Sequence, residues 1–222
     1  MKFVYANSDL KGAEFVLIGV PDESGNHSSR KGVKKGPDAI RKVASERCVF
    51  KRHGKISLAK VSSGIIDRRI HDLGNVKKED LAQILKKIDK ITPIILGGDH
   101  SITAVALNTY GDIAIVYFDA HPDMISSSQG YYGSVLMDAK KDKSNSILLG
   151  IREPEIEELE NLKQKKVEWI TPLAFYERGP KNVWEHIAKI TKGRKVYISI
   201  DLDVFDPSIA PGVSTPVPGG LD

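Results

Sequence analysis

Three groups of aspartate and histidine residues stand out in the sequence, because each directly follows a run of apolar residues. They are Asp99-His100 after residues 94–98, Asp119, His121 and Asp123 after residues 113–118, and Asp201 and Asp203 after residues 196–200. An Asp-x-Asp pair alone is commonly a turn or a helix cap. The alternate spacing of the second group projects all three side chains to one side if the backbone stays extended. Unpaired charges at the end of a buried strand are costly, so a purely structural role explains this group poorly.

The three groups together supply four candidate carboxylates and two imidazoles. No obvious lysine or arginine partner lies beside them in the sequence to compensate this negative charge. Divalent cations are the simplest compensation, and carboxylates with some imidazole suit Mn²⁺ better than a metal that prefers thiolates. The sequence therefore predicts a Mn²⁺ centre built from these side chains.

The hydrophobic pattern indicates which elements must position these groups. Short β-branched and apolar runs predict strands at residues 15–20, 65–71, 93–96, 113–118, 146–150, 167–170 and 195–200. Amphipathic stretches predict helices at residues 37–47, 78–90, 101–110, 153–165 and 181–192. Apolar strands that alternate with helices are typical of a parallel sheet covered on both faces. We therefore expect one α/β domain, a three-layer α/β/α sandwich with a mostly parallel sheet that binds ligands at the carboxyl ends of its strands.

The composition excludes several other classes of protein. The 222 residues are 41% hydrophobic and 28% charged, with a net charge of +4, which is ordinary for a globular protein. No apolar run reaches the roughly 18 to 20 residues of a membrane span, and the N-terminus lacks the core of a signal peptide. The single cysteine, Cys48, excludes a disulfide scaffold and fits a cytoplasmic location. Basic residues alternate with acidic ones without a nucleic-acid motif, so we expect neither nucleic acid nor a membrane as a partner.

Six segments of the sequence resemble motifs of one protein family. Gly97-Gly-Asp-His-Ser101, Asp119-Ala-His-Pro-Asp123 and Ser199-Ile-Asp-Leu-Asp-Val-Phe-Asp-Pro207 resemble, in order, the three metal motifs of the ureohydrolases, which include arginase and agmatinase. Residues 210–220 are similar to the stretch that follows those motifs, and residues 19–22 together with residues 30–41 are similar to the N-terminal segment in its agmatinase form. The resemblance spans essentially the whole chain and implies an arginase-like fold.

The resemblance also implies a ligand set, an activity and an assembly. His100 and Asp123 would bind one Mn²⁺ and His121 and Asp203 a second, while Asp119 and Asp201 would bridge both ions. A hydroxide that bridges the metals would hydrolyse the guanidinium carbon of a small cationic guanidine and release urea and an amine. The agmatinase-like N-terminal segment favours agmatine, which would yield putrescine in polyamine biosynthesis. The family further implies a homo-oligomer, a trimer or a hexamer.

Two features depart from the family pattern. The loop after residue 123 commonly contains a histidine assigned to proton shuttling, and the best match here is Tyr132. A phenol with a pKa of about 10 is a poor shuttle at neutral pH, so Tyr132 is a candidate catalytic residue whose effect on turnover is open. The family also continues with a further strand, helices and a glutamate that contacts the guanidinium, whereas this sequence stops at Asp222. We expect residues 1–222 to form a single ureohydrolase domain that lacks its C-terminal strand and helices.

Three alternatives compete with an agmatinase. The substrate could be arginine or guanidinobutyrate, which other members of the family hydrolyse. The protein could instead be a metal-binding paralogue with little turnover, an interpretation that the tyrosine at position 132 favours. A deacetylase-like metallohydrolase of related fold is disfavoured, because the sequence supplies two complete metal sites.

Overall fold

Strands and helices alternate along the chain, as the hydrophobic pattern predicts. The computed structural model describes residues 1–49, 68–126, 130–140 and 142–222. The strands of this part are β1 (Phe15–Val20), β2 (Ile70–Asn75), β3 (Thr92–Gly97), β4 (Ile113–Phe118), β5 (Ser146–Leu149), β6 (Glu168–Ile170) and β7 (Lys195–Ile200). The α-helices are α1 (Gly36–Val49), α2 (Lys78–Lys87), α3 (Ser101–Thr109), α4 (Val135–Asp138), α5 (Ile156–Lys165), α6 (Pro172–Arg178) and α7 (Pro180–Ile190). None of these helices is both long and apolar enough to cross a membrane.

Contacts divide the chain into two compact units. The first unit contains residues 1–23 and 32–102, and its sheet has the strand order β2-β1-β3 with both pairs parallel. The central strand β1 is buried almost completely, which explains its uninterrupted run of apolar residues. The expectation of a single domain over residues 1–222 stays a prediction.

The second unit contains residues 24–31 and 103–222, and its parallel sheet has the strand order β6-β5-β4-β7. Successive residues of β4 point to opposite faces of this sheet. Ile115 and Tyr117 pack on one face with Leu162 of α5, and Val116 packs on the other with Val183 of α7. Helices therefore cover both faces of a parallel sheet, and the predicted α/β class is confirmed.

Two predicted boundaries are wrong, and one helix was not predicted. The strand predicted at residues 65–71 is β2, which begins at Ile70, and residues 65–67 lie outside the described part. The helix predicted from residue 153 begins at Ile156, because Glu155 and Glu158 form a capping box there. Helix α6 was not predicted, although Thr171 caps it by accepting from Ala174 N and a proline opens its first turn.

A buried ion pair joins α1 to β2 in the first unit. Arg41 Nε lies 2.9 Å from Asp72 Oδ2, Arg41 Nη2 lies 2.8 Å from Asp72 Oδ1, and both side chains are fully buried. Arg41 Nη1 also donates to Asn75 Oδ1 at 2.6 Å. A Cβ on Gly19 would lie 2.0 Å from that same oxygen, so only glycine leaves room for the network. The positive charge of Arg41 is thus buried inside the first unit, where the carboxylate of Asp72 compensates it.

We expect Asp72→Asn to lower the free energy of unfolding by about 3 to 5 kcal/mol, because it leaves the Arg41 charge buried without its partner. Urea denaturation at neutral pH measures this loss. Asp38→Asn is the matched control, since Asp38 lies 3.7 Å from the same guanidinium but is 59% exposed. That variant should lose less than about 1 kcal/mol. Equal losses from the two variants would contradict the prediction.

The pH dependence of this loss has a definite sign. Burial raises the pKa of Asp72, but the hydrogen bonds from Arg41, Phe3 N and Gly74 N outweigh burial and hold the pKa below its ordinary value. A lowered pKa stabilises the folded protein above the unfolded pKa of about 3.9, and this stabilisation is lost as pH falls through the folded pKa. The difference between wild type and Asp72→Asn should therefore be largest above about pH 5 and shrink in more acidic solution. If the difference in the free energy of unfolding did not change with pH, the charge of Asp72 would not be the source of the stabilisation.

Candidate metal centre

The register between β4 and β7 places two aspartates side by side. Phe118 pairs with Ile200 at the ends of these parallel strands, and Asp201 N donates to Phe118 O at 2.8 Å. Asp119 and Asp201 are the next residues on their strands, and a carboxylate oxygen of each lies within 4.8 Å of the other. The sequence prediction that these two side chains meet at the carboxyl edge is therefore matched by the backbone geometry.

An imidazole lies between two carboxylates at the same edge. His121 Nδ1 is 3.5 Å from Asp119 Oδ1 and 3.2 Å from Asp203 Oδ2. Asp119 is 1% exposed and Asp203 4% exposed, so neither carboxylate is well hydrated. Candidate ligand atoms of Asp119, His121 and Asp203 all lie within 4.8 Å of one another.

Backbone groups orient these ligand atoms. Asp119 Oδ1 accepts from His121 N at 2.7 Å, and Asp203 Oδ1 accepts from Ala120 N at 3.1 Å. Asp201 Oδ1 accepts from Asp203 N at 3.0 Å, and Thr215 Oγ1 donates to Asp203 Oδ2 at 3.1 Å. The carboxylates are therefore held in fixed orientations by groups that are part of the fold.

The electrostatics of this edge favour a positive charge. Burial lowers the pKa of His121, but hydrogen bonds to Asp119 and Asp203 outweigh burial and raise the pKa to about 11. Burial raises the pKa of Asp203, but its hydrogen bond with His121 outweighs that effect, and the pKa lies below its ordinary value. Buried carboxylates with an imidazole form a donor set that a divalent cation of the Mn²⁺ type prefers. The residues present therefore fit a metal ion.

The backbone at Asp123 differs from the extended conformation that the spacing of the motif predicts. The segment after β4 does not stay extended, since Asp123 has a φ of 50°, in the left-handed region. Its Oδ2 accepts from Tyr117 Oη at 2.6 Å, and its carbonyl accepts from Leu136 N at 3.0 Å. Asp123 is thus 3% exposed, and the buried phenol of Tyr117 holds its carboxylate in place.

His100 lies in the first unit, three residues after the end of β3. It is buried, and it follows Gly98, where a Cβ would lie 1.7 Å from Asp22 O. Asp99, the other member of this predicted group, caps α3 instead, because its Oδ1 accepts from Ser101 N at 3.0 Å. The metal-ligand role of His100 stays a prediction.

Tyr132 begins the 3₁₀ turn Tyr132–Ser134, which lies next to the segment that follows Asp123. Gly133 O accepts from Ile125 N at 3.1 Å, which fixes the turn against that segment. The ring of Tyr132 packs against that of Tyr131, with ring centres 4.7 Å apart.

The environment of Tyr132 opposes ionisation of its phenol. Burial raises its pKa above the ordinary value, and the neighbouring Tyr131 and the carboxylate of Asp123 raise it further. Tyr132 therefore stays protonated at neutral pH. Its hydroxyl can donate a hydrogen bond, but it cannot act as a general base. Whether it takes part in catalysis stays a prediction.

Two supporting residues escaped the sequence analysis. Tyr117 stands within an otherwise apolar strand, and only its hydroxyl distinguishes it from the core residues around it. Glu158 is 3% exposed and accepts from Met124 N at 2.9 Å and from Glu155 N at 3.0 Å, so it holds the loop after Asp123 against α5. The spacing of Glu155 and Glu158 is a capping-box signal, which could have identified the second residue.

Comparison with known proteins identifies the family. The sequence model of the arginase family matches residues 13–222. The chain belongs to the arginase family. This membership confirms the resemblance found in the sequence and makes the protein a hydrolase of the arginase type.

Individual arginase-family members are similar over most of the chain. The agmatinase of Blochmanniella floridana is 31% identical over 226 residues, which cover 94% of this chain and 72% of that protein. The proclavaminate amidinohydrolase of Streptomyces clavuligerus is 31% identical, with 95% and 73% covered. The crystal structure of the agmatine ureohydrolase of Thermoplasma volcanium superposes with a TM-score of 0.81 at 29% identity, covering 99% of this chain and 77% of that one. The fold is therefore the α/β fold of this arginase family.

We expect Tyr117→Phe to weaken Mn²⁺ binding about 10- to 100-fold, because the variant removes the hydroxyl that orients Asp123 but keeps the buried ring. Titration with Mn²⁺ against a competing chelator measures the affinity. Tyr176→Phe is the control, since its hydroxyl contacts Asp222 rather than any candidate ligand. Unchanged affinity in Tyr117→Phe would show that Asp123 needs no such support or binds no metal.

Proposed function

We propose that the protein is a Mn²⁺-dependent ureohydrolase that hydrolyses a small cationic guanidine to urea and an amine. The observation that carries this proposal is the meeting of Asp119, His121 and Asp203 at the carboxyl edge of a parallel sheet, in a chain of the arginase family. Buried acids around an imidazole are unfavourable unless a positive charge joins them. In a hydrolase of the arginase family, such a cation would also take part in catalysis.

The proposed ligand set follows the three motifs. His100 and Asp123 would hold one ion, His121 and Asp203 would hold the other, and Asp119 and Asp201 would be ligands of both. Two divalent ions, when bound, supply Lewis acidity that lowers the pKa of a coordinated water and stabilises developing negative charge. The four carboxylates balance the charge of the two ions, which leaves no excess positive charge to repel a cationic substrate.

The chain's own residues would orient and attract the substrate. Glu153 Oε2 lies 3.3 Å from His121 Nε2 and is 66% exposed, so it adds negative charge on the solvent side of the centre. Tyr132 keeps its proton and would act as a hydrogen-bond donor rather than as a base. A guanidinium is planar and positively charged, so the negative charge of Glu153 favours it over neutral amides.

Agmatine is the substrate that we propose, ahead of arginine and guanidinobutyrate. The agmatinase-like residues 19–22 and 30–41 support it, as do relatives named agmatinase. A site for arginine would also have to desolvate an α-carboxylate and supply donors to it. The serines and glutamine of residues 126–129 are the residue types that could supply such donors, but residues 127–129 lie outside the described part. Ser126 N already donates to Glu157 Oε1 at 2.9 Å, so this backbone donor is not free for a substrate carboxylate.

A second candidate is a metal-binding paralogue with little turnover. The protonated phenol of Tyr132, in place of a shuttling histidine, favours it. For either candidate we propose a cytoplasmic homo-oligomer, a trimer or a hexamer, as the family resemblance implies.

The purified protein should bind two Mn²⁺ per chain. Asp201→Asn should lose both ions, because in the proposed ligand set this residue would bind both, whereas Asp203→Asn should mainly weaken one. Elemental analysis after gel filtration, together with calorimetric titration, gives the stoichiometry. One ion or none in the wild-type protein would refute the two-metal centre.

Agmatine should give the highest kcat/KM in a urea-release assay with Mn²⁺ that compares agmatine, arginine and guanidinobutyrate. The physical reason is the desolvation of the carboxylates that the other two substrates carry. A higher value for arginine would reverse the substrate assignment. No urea from any of the three, in protein that holds two ions, would favour the paralogue.

A further inference from the structure

Arg152, which follows β5 after two residues, has an unusual set of contacts. Its guanidinium donates to six backbone carbonyls on three segments of the second unit. Nη1 donates to Gly150 (3.1 Å) and Val204 (3.3 Å), Nη2 to Asp203 (2.7 Å), Phe205 (3.4 Å) and Val217 (2.6 Å), and Nε to Val217 and Pro218 (both 3.2 Å). No carboxylate of the described residues forms an ion pair with this guanidinium. Its hydrogen bonds are therefore used to hold backbone segments together.

The main chain of Arg152 contacts the other segment that carries candidate ligands. Arg152 N donates to Ala120 O at 2.9 Å, and Ala120 stands between Asp119 and His121. The peptide N–H of Ala120 in turn donates to Asp203 Oδ1 at 3.1 Å. Arg152 therefore holds the Asp119–His121 turn through its backbone and the turn that carries Asp203 through its side chain.

Only arginine can make this set of contacts. A guanidinium is a rigid planar fork with five N–H donors, whereas a lysine ammonium offers three donors at a single point. A lysine at this position would keep the positive charge near Asp203 but could not reach carbonyls on three segments at once. Charge and geometry can thus be separated by experiment.

We propose that Arg152 is a positioning residue of the metal centre. By joining Ala120 to the turn of residues 203–205, it fixes the distance between His121 Nδ1 and Asp203 Oδ2, and so sets the affinity for the ion that these two residues bind. The inference rests on the metal centre of the proposed function. Arg152 itself contacts neither the candidate ligand atoms nor, in this scheme, the substrate.

The test compares Arg152→Lys and Arg152→Met with wild type in the full chain, with Mn²⁺ alone as the probe. Calorimetric titration should show that both variants bind one of the two ions at least about 10-fold more weakly, the usual effect of losing a group that orients a ligand. The second ion should be less affected. Arg178→Met is the control, because Arg178 is exposed on α6 and lies 4.0 Å from its nearest acid, Glu168.

A second measurement needs no metal. Hydrogen exchange in the presence of EDTA should be faster in peptides that cover residues 119–121 and 203–205 of both variants, and unchanged in peptides that cover β6. Circular dichroism and thermal unfolding in EDTA confirm that each variant is folded. If both variants are unfolded, Arg152 is required by the fold as a whole and the proposal is wrong.

The remaining outcomes also decide the matter. Near wild-type affinity in Arg152→Lys, with a loss in Arg152→Met, would mean that charge rather than geometry matters, and would overturn the proposal. Two ions bound with unchanged affinity in both variants would overturn it as well. A wild-type protein that binds no Mn²⁺ would instead refute the proposed metal centre, while the hydrogen-exchange result would still show whether Arg152 holds the two turns.

Discussion

The candidate site depends on the register between the parallel strands β4 and β7, which pair over their whole length and end opposite each other. Because Phe118 pairs with Ile200, the residues that follow are brought side by side, and both are aspartates. A shift of one residue in either strand would turn one carboxylate to the opposite face of the sheet. The backbone pairing of β4 with β7 is thus what brings together two charges that repel each other.

The chain compensates buried carboxylates in two different ways. Asp72 in the first unit faces an arginine that is charged at every accessible pH, so its compensation is permanent. Asp119 and Asp203 in the second unit face an imidazole, whose proton a cation can displace. A permanent partner suits a structural role, whereas an exchangeable one suits binding. This contrast in the partner, more than the burial of the acids, separates the two groups chemically.

The strands and the grouping of acids at their ends could be predicted from the sequence, because burial leaves a continuous apolar run that ends where the polar residues begin. β1 and β4 are examples, and their boundaries agree with the prediction. The boundaries of β7 agree as well, although most of its residues are exposed. β2 was misplaced because Asp72 interrupts its apolar pattern, and only the fold reveals that Arg41 compensates this charge. Local patterns do not contain a partner that is 31 residues away.

The same limit applies within the site. The left-handed backbone of Asp123 depends on contacts with Tyr117 and Leu136, and the spacing of Asp119, His121 and Asp123 carries no sign of it. Five of the six carbonyls that Arg152 contacts lie 51 to 66 residues further along the chain, so the residues next to Arg152 in the sequence give no sign of its role. Motif spacing points to the candidate ligands, but not to the groups that hold them in place.

Ala120 shows what this arrangement means for the evolution of the segment. Its N–H and its carbonyl are both used, one by a carboxylate 83 residues later and the other by the main chain of Arg152. The insertion or deletion of one residue between Asp119 and His121 would break both hydrogen bonds of Ala120. It would also turn the side chains of Asp119 and His121 away from each other. Side chains near this turn can therefore change by substitution, whereas the number of residues in it cannot change, and homologous genes should vary in length before β4 or after Asp123 rather than between them.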